Sequence, residues 1–171
     1  AAQFLRDARI TPIYEGTNGI QAIDMVTRKL PMQGGAVVRA FIAEMQETAD
    51  RCRQLNSPAF AQIGAALDSA LGVMTQATDW MLAHISDAPN DCLAGATPYL
   101  RLAGTVSNGY YLARMAMTRA QDADTDPHTG TAIATALFFA LNHLPQVSGL
   151  SGAAMAGAAH LYALNDAQLG V

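Results

Sequence analysis

Glu15 lies between the apolar run Ile10-Thr11-Pro12-Ile13-Tyr14 and the turn Gly16-Thr17-Asn18-Gly19. A glycine directly after an acid lets the backbone approach a ligand closely. Thr17 has the side chain of a good N-cap, and the apolar spacing from Ile20 to Leu30 predicts a helix. The free N–H groups and the dipole at the start of that helix suit a phosphate or another anion near residues 16–19. The pattern therefore offers a general base beside an anion site. The plainer reading is a solvated acid in a first helical turn, favourable to the dipole and without chemistry. The residue types alone leave both readings open.

The elements that would hold this turn are helical throughout. Residues 1–9 read as the end of a helix broken at Thr11-Pro12, because the residue before a proline disfavours the α region. The helix from Ile20 to Leu30 stops at Pro31 and Gly34-Gly35. A long helix is predicted from 35 to 55, with Val38, Phe41, Ile42, Met45, Ala49 and Cys52 on its apolar side and Arg39, Glu44, Glu47, Asp50, Arg51 and Arg53 as a solvated face. Ser57-Pro58 starts the next helix, which runs to Ile85 and carries the single tryptophan, Trp80, as a packing residue. Asp87 to Asp91 reads as a loop. Thr97-Pro98 repeats the cap-and-proline signal ahead of a helix to Ala120 that Gly104 and Gly109 interrupt, a sign of close helix–helix approach. A polar linker, 122–129, follows; its acids lack the offsets of a calcium loop. No sustained period-two alternation marks a strand, and Asn18-Gly19 and Asn108-Gly109 both sit beside helical patterns rather than in hairpins. The expected fold is all-α, an up-down bundle of about five helices, with the N-terminal elements as a separate strip and a boundary near Pro31 to Gly35.

Composition narrows the function. The chain is 51% hydrophobic and 14% charged, so much of its surface is expected to be covered by something else. Its formal charge is −4, without a basic run, which gives nucleic-acid binding no electrostatic support. Between Pro127 and Asn165 there is no Asp, Glu, Lys or Arg. That stretch is two apolar segments, 132–144 and 147–164, split by Pro145. The first is too short to span a membrane and the second is diluted by Gly149, Ser151, Gly152, Gly157 and His160, so covered helices fit better than a membrane hairpin. His128, His143 and His160 are spaced too widely to form a helix-borne ligand pair, and no metal is expected. Cys52 and Cys92 read as free thiols of a reducing, cytoplasmic compartment. The opening Ala1-Ala2-Gln3-Phe4-Leu5 reads as the tail of a helix from a longer protein.

The string Arg6-Asp7-Ala8-Arg9-Ile10-Thr11-Pro12-Ile13-Tyr14-Glu15-Gly16-Thr17-Asn18-Gly19-Ile20-Gln21 closely resembles the segment that carries the catalytic base of the acyl-CoA dehydrogenase family. Residues 1–32 then correspond to the end of that family's catalytic core. Residues 33–171, through 94–102 and 149–153, resemble the extra helical domain of its larger bacterial branch, which includes enzymes acting on 3-(methylthio)propanoyl-CoA. The resemblance implies an FAD-dependent enzyme that dehydrogenates an acyl-CoA thioester between its α and β carbons. Glu15 maps to the base, Gly16 and Tyr14 to positions along the substrate, and Thr17, Asn18 and Gly19 to positions that touch flavin. The family often has a larger polar residue where this chain has Gly19. A carboxylate enclosed between an acyl chain and a flavin ring is desolvated, which raises its proton affinity into a useful range. Arg6, Asp7 and Arg9 read as a structural ion-pair cluster. The resemblance further implies an electron-transfer flavoprotein as acceptor and a homo-oligomer. The chain lacks the domains that hold most of the flavin, so the fragment itself is expected to be inactive. Two other classes compete: a related flavoprotein such as an acyl-CoA oxidase, and a helical dimerisation or interaction module, which the charge-free tail would suit.

Overall fold

The computed structural model describes residues 2–13, 17–121 and 127–170, and among them there are helices and turns but no strand. Two short helices open the chain, α1 (Ala2–Ala8) and α2 (Asn18–Asp24). α2 runs directly into a π-helical turn, Met25–Lys29, closed by Leu30 N–H donating to Met25 O at 2.8 Å. Ala22, Val26 and Leu30 face inward with almost no exposure and join the main hydrophobic core. The chain then reverses through three consecutive left-handed residues, Gln33 (φ 52°), Gly34 (φ 66°) and Gly35 (φ 86°). Gly35 cannot be replaced freely: a Cβ there would sit 2.6 Å from Leu82 Cδ1, in a backbone region that only glycine occupies without strain. The predicted boundary at 31–35 is thus a sharp change of direction, with core side chains on both sides of it.

Four long helices make the bundle: α3 (Ala36–Gln54), α4 (Pro58–His84), α6 (Ala96–Gln121) and α7 (Thr129–Asn142), with the short α5 (Pro89–Ala94) between the second and third. Their directions alternate. Arg53 meets Asp68 while Arg39 meets Asp79, so α3 and α4 are antiparallel. Thr78 meets Tyr99 across α4 and α6, and Gly109 meets Leu144 beyond the end of α7. A fifth, shorter helix, α8 (Val147–Ala154), closes the bundle against α4 and α6. The up-down arrangement of about five helices is therefore the one the apolar periodicity called for.

The core is built from Met45, Ile63, Leu67, Leu71, Met74, Met81, Leu102 and Val106, with alanines letting the helices close in. Within it the Tyr99 and Thr78 hydroxyls lie 2.8 Å apart, and Thr78 donates to Met74 O. The tightest approach is at Gly95, where a Cβ would fall 1.9 Å from Ala154 O. This contact brings the start of α6 against the end of α8.

Several local expectations change. The loop predicted at 87–91 begins α5 instead, with Pro89 in its first turn and Cys92 buried. α6 starts at Ala96, so Thr97-Pro98 lies just inside the helix rather than capping it. Gly109 does face a close neighbour, but a Cβ on Gly104 would meet open space. The predicted helix over 147–164 ends at Ala154, because Gly157 turns left-handed (φ 73°) and a 3-10 turn, Ala159–Tyr162, follows before the short α9 (Asp166–Leu169). Asp91 anchors that turn by accepting from Ala158 N–H at 2.7 Å. The linker predicted at 122–129 lies, for 122–126, outside the described residues. No described helix is long and apolar enough to cross a membrane.

Candidate functional site

The candidate site is the turn between α1 and α2. In α1, Gln3 donates to Asp7 at 2.7 Å and Arg6 donates to Gln3 at 2.6 Å. The expected ion-pair cluster of Arg6, Asp7 and Arg9 is not formed among the described residues. Gln3 stands between the two charges, and one helical turn separates each pair so formed. The chain leaves α1 through overlapping turns, with the Thr11 hydroxyl donating to Ala8 O at 2.7 Å and Ile13 N–H donating to Ile10 O. Tyr14, Glu15 and Gly16 lie outside the described residues.

Beyond them, Thr17 O accepts the first bond of α2, from Gln21 N–H at 2.8 Å. The Thr17 hydroxyl makes no capping bond. Side-chain capping wants an extended backbone at the cap residue, and Thr17, at φ −117° and ψ −3°, is turned out of that region. Thr17 is half-buried, whereas Asn18 and Gly19 are exposed and a Cβ on Gly19 would touch nothing within 4 Å. The structure thus brings Thr17, Asn18 and Gly19 together at an open helix start. Around them the apolar side chains point outward: Phe4 is 79% exposed, Ile13 71% and Ile20 62%, with Leu5, Ile10 and Ile23 also on the surface. Such a density of exposed large apolar groups is unusual for a free surface.

A second polar constellation escaped the sequence reading. Glu44 on α3 accepts from the Tyr110 hydroxyl and from Arg114 on α6, and Arg114 also donates to the Tyr110 hydroxyl oxygen at 2.6 Å. The face of α3 expected to be merely solvated is in fact partly a seam of ion pairs to its neighbours, Arg39 to Asp79, Arg53 to Asp68 and Glu44 to Arg114. These pairs are about half exposed, so each contributes about 0–1 kcal/mol. The i, i+4 spacing of Tyr110 and Arg114 was the available signal; the partner on α3 had none. Near this seam a cleft of about 430 Å³ lies between the C-terminal ends of α3 and α6, lined by Arg51, Gln54, Leu55, Arg114, Met117 and Thr118 among others. The carbonyl ends of both helices converge there, and cationic side chains complement them. Among the described residues no three His, Cys, Asp or Glu side chains converge on a metal-sized space.

The helical bundle finds its counterpart in known sequences. The family described as acetyl-CoA dehydrogenase C-terminal like matches residues 41–165. This chain belongs to that family. It is 39% identical over 116 residues to 3-methylmercaptopropionyl-CoA dehydrogenase of Ruegeria pomeroyi, covering 68% of this chain and 20% of that protein. It is 30% identical over 156 residues to butyryl-CoA dehydrogenase of Syntrophomonas wolfei, covering 86% of this chain and 25% of that protein. A broad-specificity linear acyl-CoA dehydrogenase, FadE5 of Mycobacterium tuberculosis, is 29% identical over 155 residues. The chain spans about a fifth to a quarter of the length of these curated relatives. In this member of the acyl-CoA dehydrogenase C-terminal family, the matched residues 41–165 take in the helical bundle and leave the Glu15 segment outside.

Proposed function

We propose that this chain is the C-terminal part of a flavin-dependent acyl-CoA dehydrogenase, with residues 1–32 ending the catalytic core and residues 33–171 forming an added helical domain. The observation that carries the reading is the string from Arg6 to Gln21, set on a segment whose apolar side chains face away from the bundle. Similarity to three acyl-CoA dehydrogenases supports it.

In this reading Glu15 takes the proton from the substrate α carbon. Its backbone N–H donates to the thioester carbonyl as enolate charge develops there, a contact that strengthens in the transition state. Gly16 leaves room for the thioester to lie against the chain, and Tyr14 walls the acyl pocket. Thr17, Asn18 and Gly19 are the residues here that would hold FAD. They suit it: the Thr17 hydroxyl is not spent on a cap, and the space beyond Gly19 is open. When bound, FAD supplies the acceptor for the hydride that leaves the β carbon. The exposed apolar groups of α1 and α2 close the site against water by packing on the rest of the core. The chain by itself is inactive, the parent is a cytoplasmic homo-oligomer, and an electron-transfer flavoprotein reoxidises it.

The test is to add a panel of acyl-CoA thioesters anaerobically to the flavin-loaded parent and record bleaching of the flavin. Bleaching by some members supports the reading and names the acyl class, with short linear and methylthio-substituted chains as the first choices. A parent that holds flavin but is bleached by none contradicts it. A second reading, a helical interaction module, is favoured by the uncharged stretch from Pro127 to Asn165, where Phe138 and Leu141 on α7 are exposed. A parent that holds no flavin at all would bring that reading forward.

A further inference from the structure

The chain contains two Asn-Gly pairs, Asn18-Gly19 and Asn108-Gly109, in very different settings. Asparagine followed by glycine is chemically fragile, because the glycine amide nitrogen, with no neighbouring Cβ to hinder it, can attack the asparagine side-chain carbonyl carbon. That attack forms a C–N bond and expels ammonia, leaving a five-membered succinimide. Water then opens the ring at either carbonyl, giving aspartate or isoaspartate, the latter with its backbone routed through the side chain. The reaction needs only water and a backbone free to turn.

We propose that Asn18 is a site of spontaneous deamidation and that Asn108 is protected from the same reaction by the fold. Asn18 is exposed at the first residue of α2. The Gly19 amide precedes the first bond of that helix, Gln21 N–H to Thr17 O, so it is one of the amides a helix start does not tie down. A Cβ on Gly19 would meet nothing within 4 Å, so the local backbone has room to rotate. Asn108 is also exposed, but it lies in the middle of α6, where each amide is held by the carbonyl four residues earlier. Gly109 is buried, and a Cβ on it would lie 2.8 Å from Leu144 Cδ2, so the backbone cannot swing without unpacking the bundle. Exposure of the side chain is common to both sites; freedom of the following amide is not. Deamidation places a carboxylate at residue 18, three residues from Glu15. If Thr17 to Gly19 hold FAD as proposed above, the aged protein loses flavin affinity; that consequence rests on the proposed function, and the chemistry at Asn18 does not.

The experiment incubates the folded 171-residue chain at mildly alkaline pH, digests samples with trypsin over time and follows the two peptides, 10–28 and 102–114, by mass spectrometry. The expected result is that deamidated and isoaspartyl forms of 10–28 accumulate about tenfold faster or more than those of 102–114, since local opening must precede reaction in the latter. The same digest in denaturant should bring the two rates together, and Asn18→Gln should abolish the conversion of 10–28. A peptide 102–114 that keeps pace in the folded chain, or a peptide 10–28 that stays unchanged, overturns the proposal.

Discussion

Residues 2–30 and residues 36–154 spend their apolar side chains in opposite ways. In the bundle, Leu67, Met74, Met81 and Leu102 vanish from the surface, and neighbouring helices approach so closely that glycine is required at Gly95. Among the described residues of the leading segment only Ala22, Val26 and Leu30 are buried, while Phe4, Leu5, Ile10, Ile13, Ile20 and Ile23 face outward. The bundle has a continuous packed core, with Phe138, Leu141 and Tyr111 left on its surface. The segment is packed on one side only, and its other side is shaped for something it does not itself supply. Packing is therefore concentrated in the bundle, while the chemistry proposed above falls on the leading segment, the arrangement of a rigid scaffold that presents a loop-borne site.

Substitutions in pairs sharpen or break that contrast, measured by urea unfolding of the 171-residue chain. The largest difference is expected between two glycines. Gly95→Ala drives a methyl into Ala154 O and should cost about 3 kcal/mol, whereas Gly19→Ala should leave the chain unchanged or up to about 1 kcal/mol more stable. Equal effects would mean that the α6–α8 contact is looser than it looks. A similar gap is expected between Leu67→Ala, at about 3 kcal/mol, and Ile20→Ala, at under about 0.5 kcal/mol. A costly Ile20→Ala would show that the outward face of α2 is already covered in the isolated chain. Tyr99→Phe should cost about 1 kcal/mol, because Thr78 keeps its bond to Met74 O when the Tyr99 hydroxyl is removed.

The bundle also carries a pH dependence, confined to alkaline conditions. Burial pushes the Cys52 thiol up to about 11 and the Tyr99 phenol up to about 12, the latter opposed by its hydrogen bond with Thr78. Both groups are held neutral in the folded state more firmly than in the unfolded one. Their contribution is fully present below the ordinary values of 9.0 and 10.0 and is lost as pH rises through the folded ones. The thermal midpoint should be level between neutral pH and about 9 and fall beyond it, and Cys52→Ala should flatten the first part of the fall. A midpoint that rises above pH 9 would contradict the burial of these two groups.

The same contrast explains what the sequence made legible. The long helices could be read because volume and period repeat over many residues: Val38, Met45, Ala49 and Cys52 recur on one side of α3 and are buried there. Signals resting on one or two residues fared worse. Thr97-Pro98 looked like a helix start, yet the chain had already turned helical at Ala96, since Gly95 packs against Ala154, a contact far away in sequence. Thr17 looked like a cap, but its backbone angles take the hydroxyl out of reach of the helix. The helix expected over 147–164 ended early because Asp91, more than sixty residues upstream, holds Ala158 in a turn. The Glu44–Tyr110–Arg114 constellation was invisible for the same reason, its acid and its phenol lying on different helices. Of the candidate site, the exposure of Asn18 and Gly19 and the uncapped Thr17 are structural observations, while the roles of Glu15, Gly16 and Tyr14 rest on the motif.

The measurement that bears most directly on the account is anaerobic flavin bleaching in the parent protein carrying Glu15→Gln, which keeps the shape of the side chain and removes its basicity. With the thioester that bleaches the unaltered protein fastest, the variant should keep its flavin, still bind the thioester, and bleach at least about a thousandfold more slowly, within the range a positioned general base supplies. Bleaching at the unaltered rate would mean that the α proton is taken elsewhere, and the assignment of Glu15 would fall.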